Sequence, residues 1–166
     1  MITASIHQHI SPIGDIQTLE DEQTLYALAF SEHWNKLDSY ISKHFRLTES
    51  ATHSITAPLL ERYFDGELSV FSDVKMHSLG TAFQQHVWQS LQAIPHGETW
   101  SYQQQANWLQ KPSAVRAVAA ANGKNPISIF VPCHRVIGSN GKLTGYAGGL
   151  ERKEWLLAHE RKHAPS

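Results

Sequence analysis

The stretch from Ser101 to Gly123 constrains the fold of this chain more than any other. Ser101-Tyr102-Gln103-Gln104 has capping-box form, a serine and a glutamine three residues apart that can satisfy each other's backbone donors, so a helix is expected to about Leu109. Lys111-Pro112-Ser113 breaks it; Ser113 is placed to cap a second helix, Ala114 to Asn122, and Gly123 to stop it. Two short helices joined by a brief turn form a helix-turn-helix pattern. The second helix is nearly all alanine (Ala114, Ala117, Ala119, Ala120, Ala121), with Arg116 near its start. Small side chains let a helix approach another surface closely, and an arginine at its N-terminal end can reach a base or phosphate. The same residues also suit a helix packed on its neighbours with Arg116 solvated, and the pattern alone leaves both open.

Charge adds a direction. The net charge is −1, yet residues 1–77 hold five Lys/Arg against eleven Asp/Glu, while residues 78–166 hold nine against four. A basic half beside an acidic half points the C-terminal part toward a polyanion, or reflects chance partition. The expected domains are 1–77 and 78–166, a size suited to two small units. No apolar run reaches membrane-spanning length, and Met1–His7 lacks the features of a signal peptide, so no membrane partner is expected. One cysteine cannot form an intramolecular disulfide, which makes a cytoplasmic, reducing compartment the expectation.

The first 30 residues read as strands, with Ile2–Ile10, a turn at Ser11-Pro12-Ile13-Gly14, and the β-rich Thr24–Phe30. Ser31 is placed to cap a helix carrying Trp34, Leu37, Ile41 and Phe45 at helical spacing. Thr56-Ala57-Pro58 opens another helix with Leu59, Leu60, Tyr63 and Phe64 as its apolar side and Asp65-Gly66 as its stop; a last strand is expected around Leu68–Val74. This half reads as a small α/β domain with a mainly antiparallel sheet and nothing catalytic. His7 and His9 alternate on a strand and read as surface residues rather than a metal site.

The second half opens with a capping box at Thr81-Ala82-Phe83-Gln84 and an apolar face of Phe83, Val87 and Leu91. It closes with a helix from Leu150 to about His163. Between them lies the chemistry. Cys133, the sole thiol, follows the apolar run Ile127–Val131 and precedes His134, Arg135 and a glycine-rich loop, Gly145–Gly149. A free cysteine has a pKa of about 8.5, and a neighbouring base or cation that lowers it by ~2 units makes thiolate the main form. His134 and Arg135 are the expected source of that field. An inert core cysteine is the other reading.

Pro132-Cys133-His134-Arg135-Val136-Ile137-Gly138, followed by Gly145-Tyr146-Ala147-Gly148-Gly149-Leu150, resembles the active-site signature of the O6-alkylguanine-DNA alkyltransferases. The likeness extends through Gly97–Tyr102, Arg116–Val118, Asn122–Pro126 and Lys153–Glu160, almost continuously over 78–160. The N-terminal half matches in outline only, through Ser11–Gly14 and Leu60–Gly66.

The resemblance implies an α/β fold: a ribonuclease H-like N-terminal domain and a mostly helical C-terminal domain with a winged helix-turn-helix-like motif. It implies transfer of an alkyl group from O6 of guanine, and from O4 of thymine, to Cys133 after nucleotide flipping. His134 is then general base through a water, Glu160 its orienting group, and Tyr102 a donor to the departing guanine that also touches DNA. Arg116 enters the base stack, Gln103 and Ser139 meet the backbone, Val136, Tyr146 and Ala147 wall the guanine pocket, and Asn125 braces the active-site segment. The implied partner is double-stranded DNA containing O6-alkylguanine, bound by a monomer, with no cofactor and no metal. Some relatives hold a structural zinc in the N-terminal domain through Cys and His ligands, and this chain has no cysteine there, so that site is expected to be absent. Ala147 stands where some relatives carry serine, leaving the breadth of substrates open, and Trp100 and Trp108 read as packing. Three other readings remain: a sensor that binds alkylated DNA without transfer, a thiol hydrolase built on Cys133 and His134, and a plain helix-turn-helix regulator.

Overall fold

In the computed structural model, which describes residues 1–49 and 53–165, the chain forms two compact units, Met1–Leu79 and Gly80–Ser166. No helix among the described residues is long and apolar enough to cross a membrane.

The first unit is built on five strands: β1 (Ile2–His9), β2 (Ile16–Glu20), β3 (Thr24–Phe30), β4 (Phe45–Leu47) and β5 (Lys75–Met76), in the order β4-β1-β2-β3-β5. The central pairs, β1–β2 and β2–β3, are antiparallel, and both edge pairs are parallel. The sheet is thus mainly antiparallel, as expected from its hairpin-linked strands. One core gathers Ala4, Leu19, Tyr26, Ala27, Ile41 and Phe45.

Four local expectations fail here, each for a physical reason. Ser31 does not cap a helix: residues Ser31–Leu37 form a 3-10 turn with no side-chain cap, and α1 begins at Asp38 and ends at His44. Phe45, in phase with that helix, instead begins β4, where it packs against Tyr26. Leu68–Asp73 is a 3-10 turn rather than a strand, burying Leu68, Val70 and Phe71. Ser72 bonds back to the Ser69 carbonyl (2.9 Å), the local competition by which serines draw a chain away from a sheet. Finally, His7 and His9 are half-buried and hydrogen-bonded rather than free on the surface, and no metal-ligating cluster includes them among the described residues. His7 Nε2 meets Ser5 Oγ (3.1 Å) and His9 Nε2 meets Thr18 Oγ1 (2.8 Å), beside the buried Glu20. Glu20 accepts bonds from Thr18 Oγ1, Thr56 Oγ1 and the Ile55 amide (2.9, 2.7 and 2.7 Å), which ties the start of α2 (Ala57–Phe64) to the sheet.

The second unit contains α3 (Ala82–Leu91), β6 (Trp100–Ser101), α4 (Tyr102–Trp108), α5 (Val115–Gly123), β7 (Val136–Ile137) and α6 (Leu150–His163). Both capping boxes form: Thr81 with Gln84, and Ser101 with Gln104. The connection after α4 closes by backbone bonds Lys111 N to Ala106 O and Gln110 N to Asn107 O (both 2.9 Å), with Gln110 at φ +59°. The same termination follows α2, where Gly66 takes the left-handed position. Ser113 is not a cap. Ala114 holds that position without a side-chain bond, because the turn at 111–114 closes through Ala114 N to Lys111 O. Gly123 is the last residue of α5 rather than its left-handed stop.

A buried polar knot fixes the helix pair. Gln105 and Asn122 exchange amide bonds (3.0 and 2.7 Å), Gln105 also reaches Ser90 Oγ (3.0 Å), and Trp88 Nε1 donates to the Ala121 carbonyl (2.8 Å). Every polar atom of that knot finds a partner, so α3, α4 and α5 are held in one register around Val87, Leu91, Ala106 and Val118. Parallel pairing of Trp100 with Val136 and Ser101 with Ile137 then fixes the start of α4 beside the segment that carries Cys133.

Candidate active site and nucleic-acid interface

The expected apolar run Ile127–Val131 is buried but is not a strand. Phe130 N bonds Ser128 O (2.8 Å) around Ile129 at φ +70°, and Cys133 N bonds Val131 O (2.9 Å) around Pro132. These are two γ-turns in quick succession, the first in the rare positive-φ form. A β-branched residue there costs on the order of 1–3 kcal/mol and persists only where its surroundings over-determine it. Asn125 supplies the constraint: its amide donates to the Val131 and Ile127 carbonyls (2.8 and 3.3 Å) and accepts from the Ile127 amide (3.0 Å).

Cys133, His134 and Arg135 follow in a 3-10 turn, with His134 and Arg135 buried and Cys133 half-buried. His134 Nε2 donates to Glu160 Oε2 (2.9 Å), fixing the tautomer that leaves Nδ1 as the basic nitrogen; Nδ1 is buried and has no partner among the described residues. Arg135 is engaged by other groups. Its Nε and Nη2 take Glu160 Oε1 and Oε2 (2.8 and 3.0 Å), Nη1 takes the Ile94 carbonyl (3.0 Å), and Nη2 also reaches His96 Nδ1 (3.1 Å). Burial would raise the Glu160 carboxyl, but the His134 and Arg135 bonds and charges hold it well below the usual carboxylate range.

The expectation that His134 and Arg135 depress the Cys133 pKa is therefore corrected. Burial pushes the thiol up, and the groups pulling it back are Asn125 and Lys153. Lys153, not singled out in the sequence, is fully buried and donates to the Val136 and Thr144 carbonyls (both 2.6 Å). Burial lowers its ammonium to about 8, against the opposing pull of Cys133. A sequence signal for it existed: Lys153 lies three, four and seven residues before Leu156, Leu157 and Glu160, in phase with the buried side of α6.

The remaining predicted residues divide between this cluster and the surface. Tyr146 sets its ring edge-on to His134 (centroids 6.3 Å apart), and burial, then the Cys133 and Glu160 charges, raises its hydroxyl well above the ordinary value. That hydroxyl is buried with Ser128 nearby, but not in hydrogen-bond geometry. Val136 is buried in β7, while Ala147 is exposed on the glycine loop. Tyr102 opens α4 and accepts a long bond from Thr144 Oγ1 (3.5 Å), the residue whose carbonyl Lys153 holds.

Arg116, Gln103 and Ser139 are exposed. Gln103 donates to Asn107 Oδ1 and the Pro112 carbonyl (both 3.0 Å), which braces the turn of the helix pair. Arg116 shares the exposed side of α5 with Ala117, Ala120 and Lys124, a cationic face of low relief. Of the nine Lys/Arg in residues 78–166, Arg135 and Lys153 are internal, as is one of the four acids, Glu160, so the surface stays basic.

Residues 82–162 match the family described as 6-O-methylguanine DNA methyltransferase, DNA binding domain. Over 156 residues the chain is 47% identical to the methylated-DNA–protein-cysteine methyltransferase of Salmonella typhimurium, covering 90% of this chain and 91% of the relative. The chain belongs to the methylated-DNA–protein-cysteine methyltransferase family. The Methanosarcina acetivorans methyltransferase is also 47% identical, over 90% of this chain and 94% of its own. The crystal structure of Mycobacterium tuberculosis OGT in complex with DNA superposes on this methyltransferase-family chain with a TM-score of 0.82 at 42% identity, covering 98% of this chain and 96% of that one. An O6-methylguanine-DNA methyltransferase from Pyrococcus kodakaraensis shares the fold (TM-score 0.71) at 20% identity, covering 95% and 98%.

Proposed function

We propose that this chain repairs alkylated DNA by moving the alkyl group from O6 of guanine, and from O4 of thymine, onto Cys133 once and irreversibly. The carrying observation is the buried His134–Glu160 pair, whose histidine follows Cys133 in the same 3-10 turn, with the charge of Lys153 acting on the thiol. A thiol whose pKa burial has raised stays protonated at neutral pH and needs a proton acceptor at the moment of reaction. His134 Nδ1 takes the thiol proton through a water, and Glu160 steadies the imidazolium through Nε2.

The thiolate attacks the sp³ alkyl carbon, a C–S bond forms, and the C–O6 bond breaks with its electron pair passing to the guanine. The Tyr102 hydroxyl gives the departing base a proton and recovers one from solvent. A thioether has no easy hydrolytic exit, so each molecule reacts once, and one chain acting as a monomer carries every group the step uses.

The reacting carbon is shielded inside a duplex, so the nucleotide turns out of the stack at a cost of a few kcal/mol. The low, cationic side of α5 suits this extrusion, since its alanines approach the groove, Arg116 fills the gap, and Gln103 and Ser139 meet the backbone. Val136, Tyr146 and Ala147 line the receiving pocket, and Asn125 holds the strained turn in place.

Intact-mass spectrometry after incubation with a duplex containing O6-methylguanine tests the reading. One added CH2 per chain, mapped to Cys133 and absent in Cys133→Ala, is the expected result. An unmodified chain that still binds the duplex supports a sensor, and repeated turnover on an ester supports a hydrolase; either result overturns the proposal.

A further inference from the structure

The relay does not end at Glu160. The carboxylate accepts three N–H groups: His134 Nε2, Arg135 Nε and Arg135 Nη2. The guanidinium is in turn aligned by the Ile94 carbonyl and by His96 Nδ1, which accepts from Nη2 at 3.1 Å. His96 and Ile94 flank Pro95 in the turn after α3, closed by Glu98 N to Pro95 O (3.1 Å), and Gly97 lets that turn lie against the end of α6. A side chain at Gly97 would meet Ala164 at 2.6 Å, so close packing fixes where the imidazole stands.

We infer that His96 is a positioning residue for alkyl transfer, acting as a proton-sensitive acceptor that aligns Arg135 and, through it, the Glu160 carboxylate on His134. The inference rests on the proposed transfer to Cys133.

An arginine can only donate, so His96 Nδ1 must be unprotonated for this bond to exist. Protonation there sets an N–H against a guanidinium N–H and places two cations beside one carboxylate. The imidazolium then competes with Arg135 and His134 for Glu160, and His134 loses alignment. The charges that shift His96 include Arg135, from the Cys133–Arg135 turn, and Glu160, from α6, whose Arg161 also lies beside the neighbouring Gly97. Burial and then the Arg135 charge lower the His96 pKa, with Glu160 opposing, so the neutral acceptor prevails at pH 7 and is lost only at lower pH.

Two variants separate alignment from simple packing. His96→Gln keeps a carbonyl acceptor that cannot titrate, while His96→Leu keeps bulk and removes the acceptor. The readout is the single-turnover rate constant for loss of O6-methylguanine from a saturating duplex, from pH 7.5 down to 5.5, with duplex affinity measured alongside. At pH 7.5, His96→Leu should be slower than wild type by about tenfold and His96→Gln by less than about twofold, a charge-assisted bond being the difference. As pH falls, the ratio of His96→Gln to wild type should rise and the deficit of His96→Leu should shrink, since wild type then loses its own acceptor. Unchanged affinity in both variants is expected.

Equal rates and parallel pH profiles for wild type and His96→Leu would overturn the inference alone. So would a Gln variant as slow as the Leu variant at every pH, which would mean packing rather than hydrogen bonding. A wild-type protein that leaves the lesion intact overturns the underlying transfer reading as well.

Discussion

Replacing Glu160 with glutamine tests the centre of the site through both stability and rate. The side chain is isosteric, so cavity effects are small. The carboxylate accepts one N–H at Oε1, from Arg135 Nε, and two at Oε2, from His134 Nε2 and Arg135 Nη2. An amide has one oxygen. Whichever way it is turned, an NH2 group faces at least one donor, and the buried Arg135 loses its counter-charge. Breaking one side of a buried pair costs about 3–5 kcal/mol, which for a chain of this length corresponds to a fall in Tm of ~6–20 °C.

The acid limb of stability should change too. Glu160 is held below its ordinary 4.5, so its contribution is complete above that value and is lost as pH falls through the lower, folded-state pKa. Glu160→Gln should therefore show a weaker loss of stability below about pH 4.5 than wild type. Losing the orienting group of a general base should slow transfer by ~10²–10⁴-fold at a temperature well below the melt. Thermal denaturation from pH 3 to 8 and single-turnover kinetics on an O6-methylguanine duplex are the assays. A variant with wild-type Tm at neutral pH and wild-type rate would refute the claim that Glu160 carries both functions.

Three further variants have expected outcomes. Lys153→Met should slow transfer by about tenfold or more, since the thiol loses the cation that draws its pKa down. Because the Lys153 pKa falls from 10.5 to about 8 on folding, the unfolded chain binds more protons between those values and wild-type stability should rise with pH there; melts of Lys153→Met should lack that rise. Arg116→Ala should reduce repair in duplex DNA more than reaction with free O6-methylguanine, and equal losses in the two assays would remove Arg116 from flipping. Gln110→Gly should stabilise the chain by about 0.5–1 kcal/mol in urea melts, because glycine takes the left-handed position after α4 without the Cβ penalty; a destabilised variant would show that the Gln110 side chain matters more than its backbone.

Local rules made much of the chain legible. Thr81 with Gln84 and Ser101 with Gln104 place two helix starts because both halves of a capping box lie within one turn of chain. Gly66 ends α2 for the same local reason, and the motif around Cys133 marks the thiol proposed as nucleophile. Patterns failed where an alternative was equally local. The Ser72 hydroxyl, bonding back to the Ser69 carbonyl, suits a 3-10 turn in an apolar stretch that reads as a strand, and Phe45 served the sheet although its spacing suited a helix.

The sequence by itself determined which residues could cap, turn and react, since those properties depend on neighbours a few positions away. Tertiary structure alone decided where the charges point. Arg135 lies two positions from Cys133 in sequence, yet a 3-10 turn aims it at Glu160, twenty-five residues away. Lys153 lies twenty positions from the thiol, and the buried side of α6 brings its field there. Electrostatic influence follows distance and dielectric through space rather than position along the chain, so the thiol's environment exists only after α6 has packed.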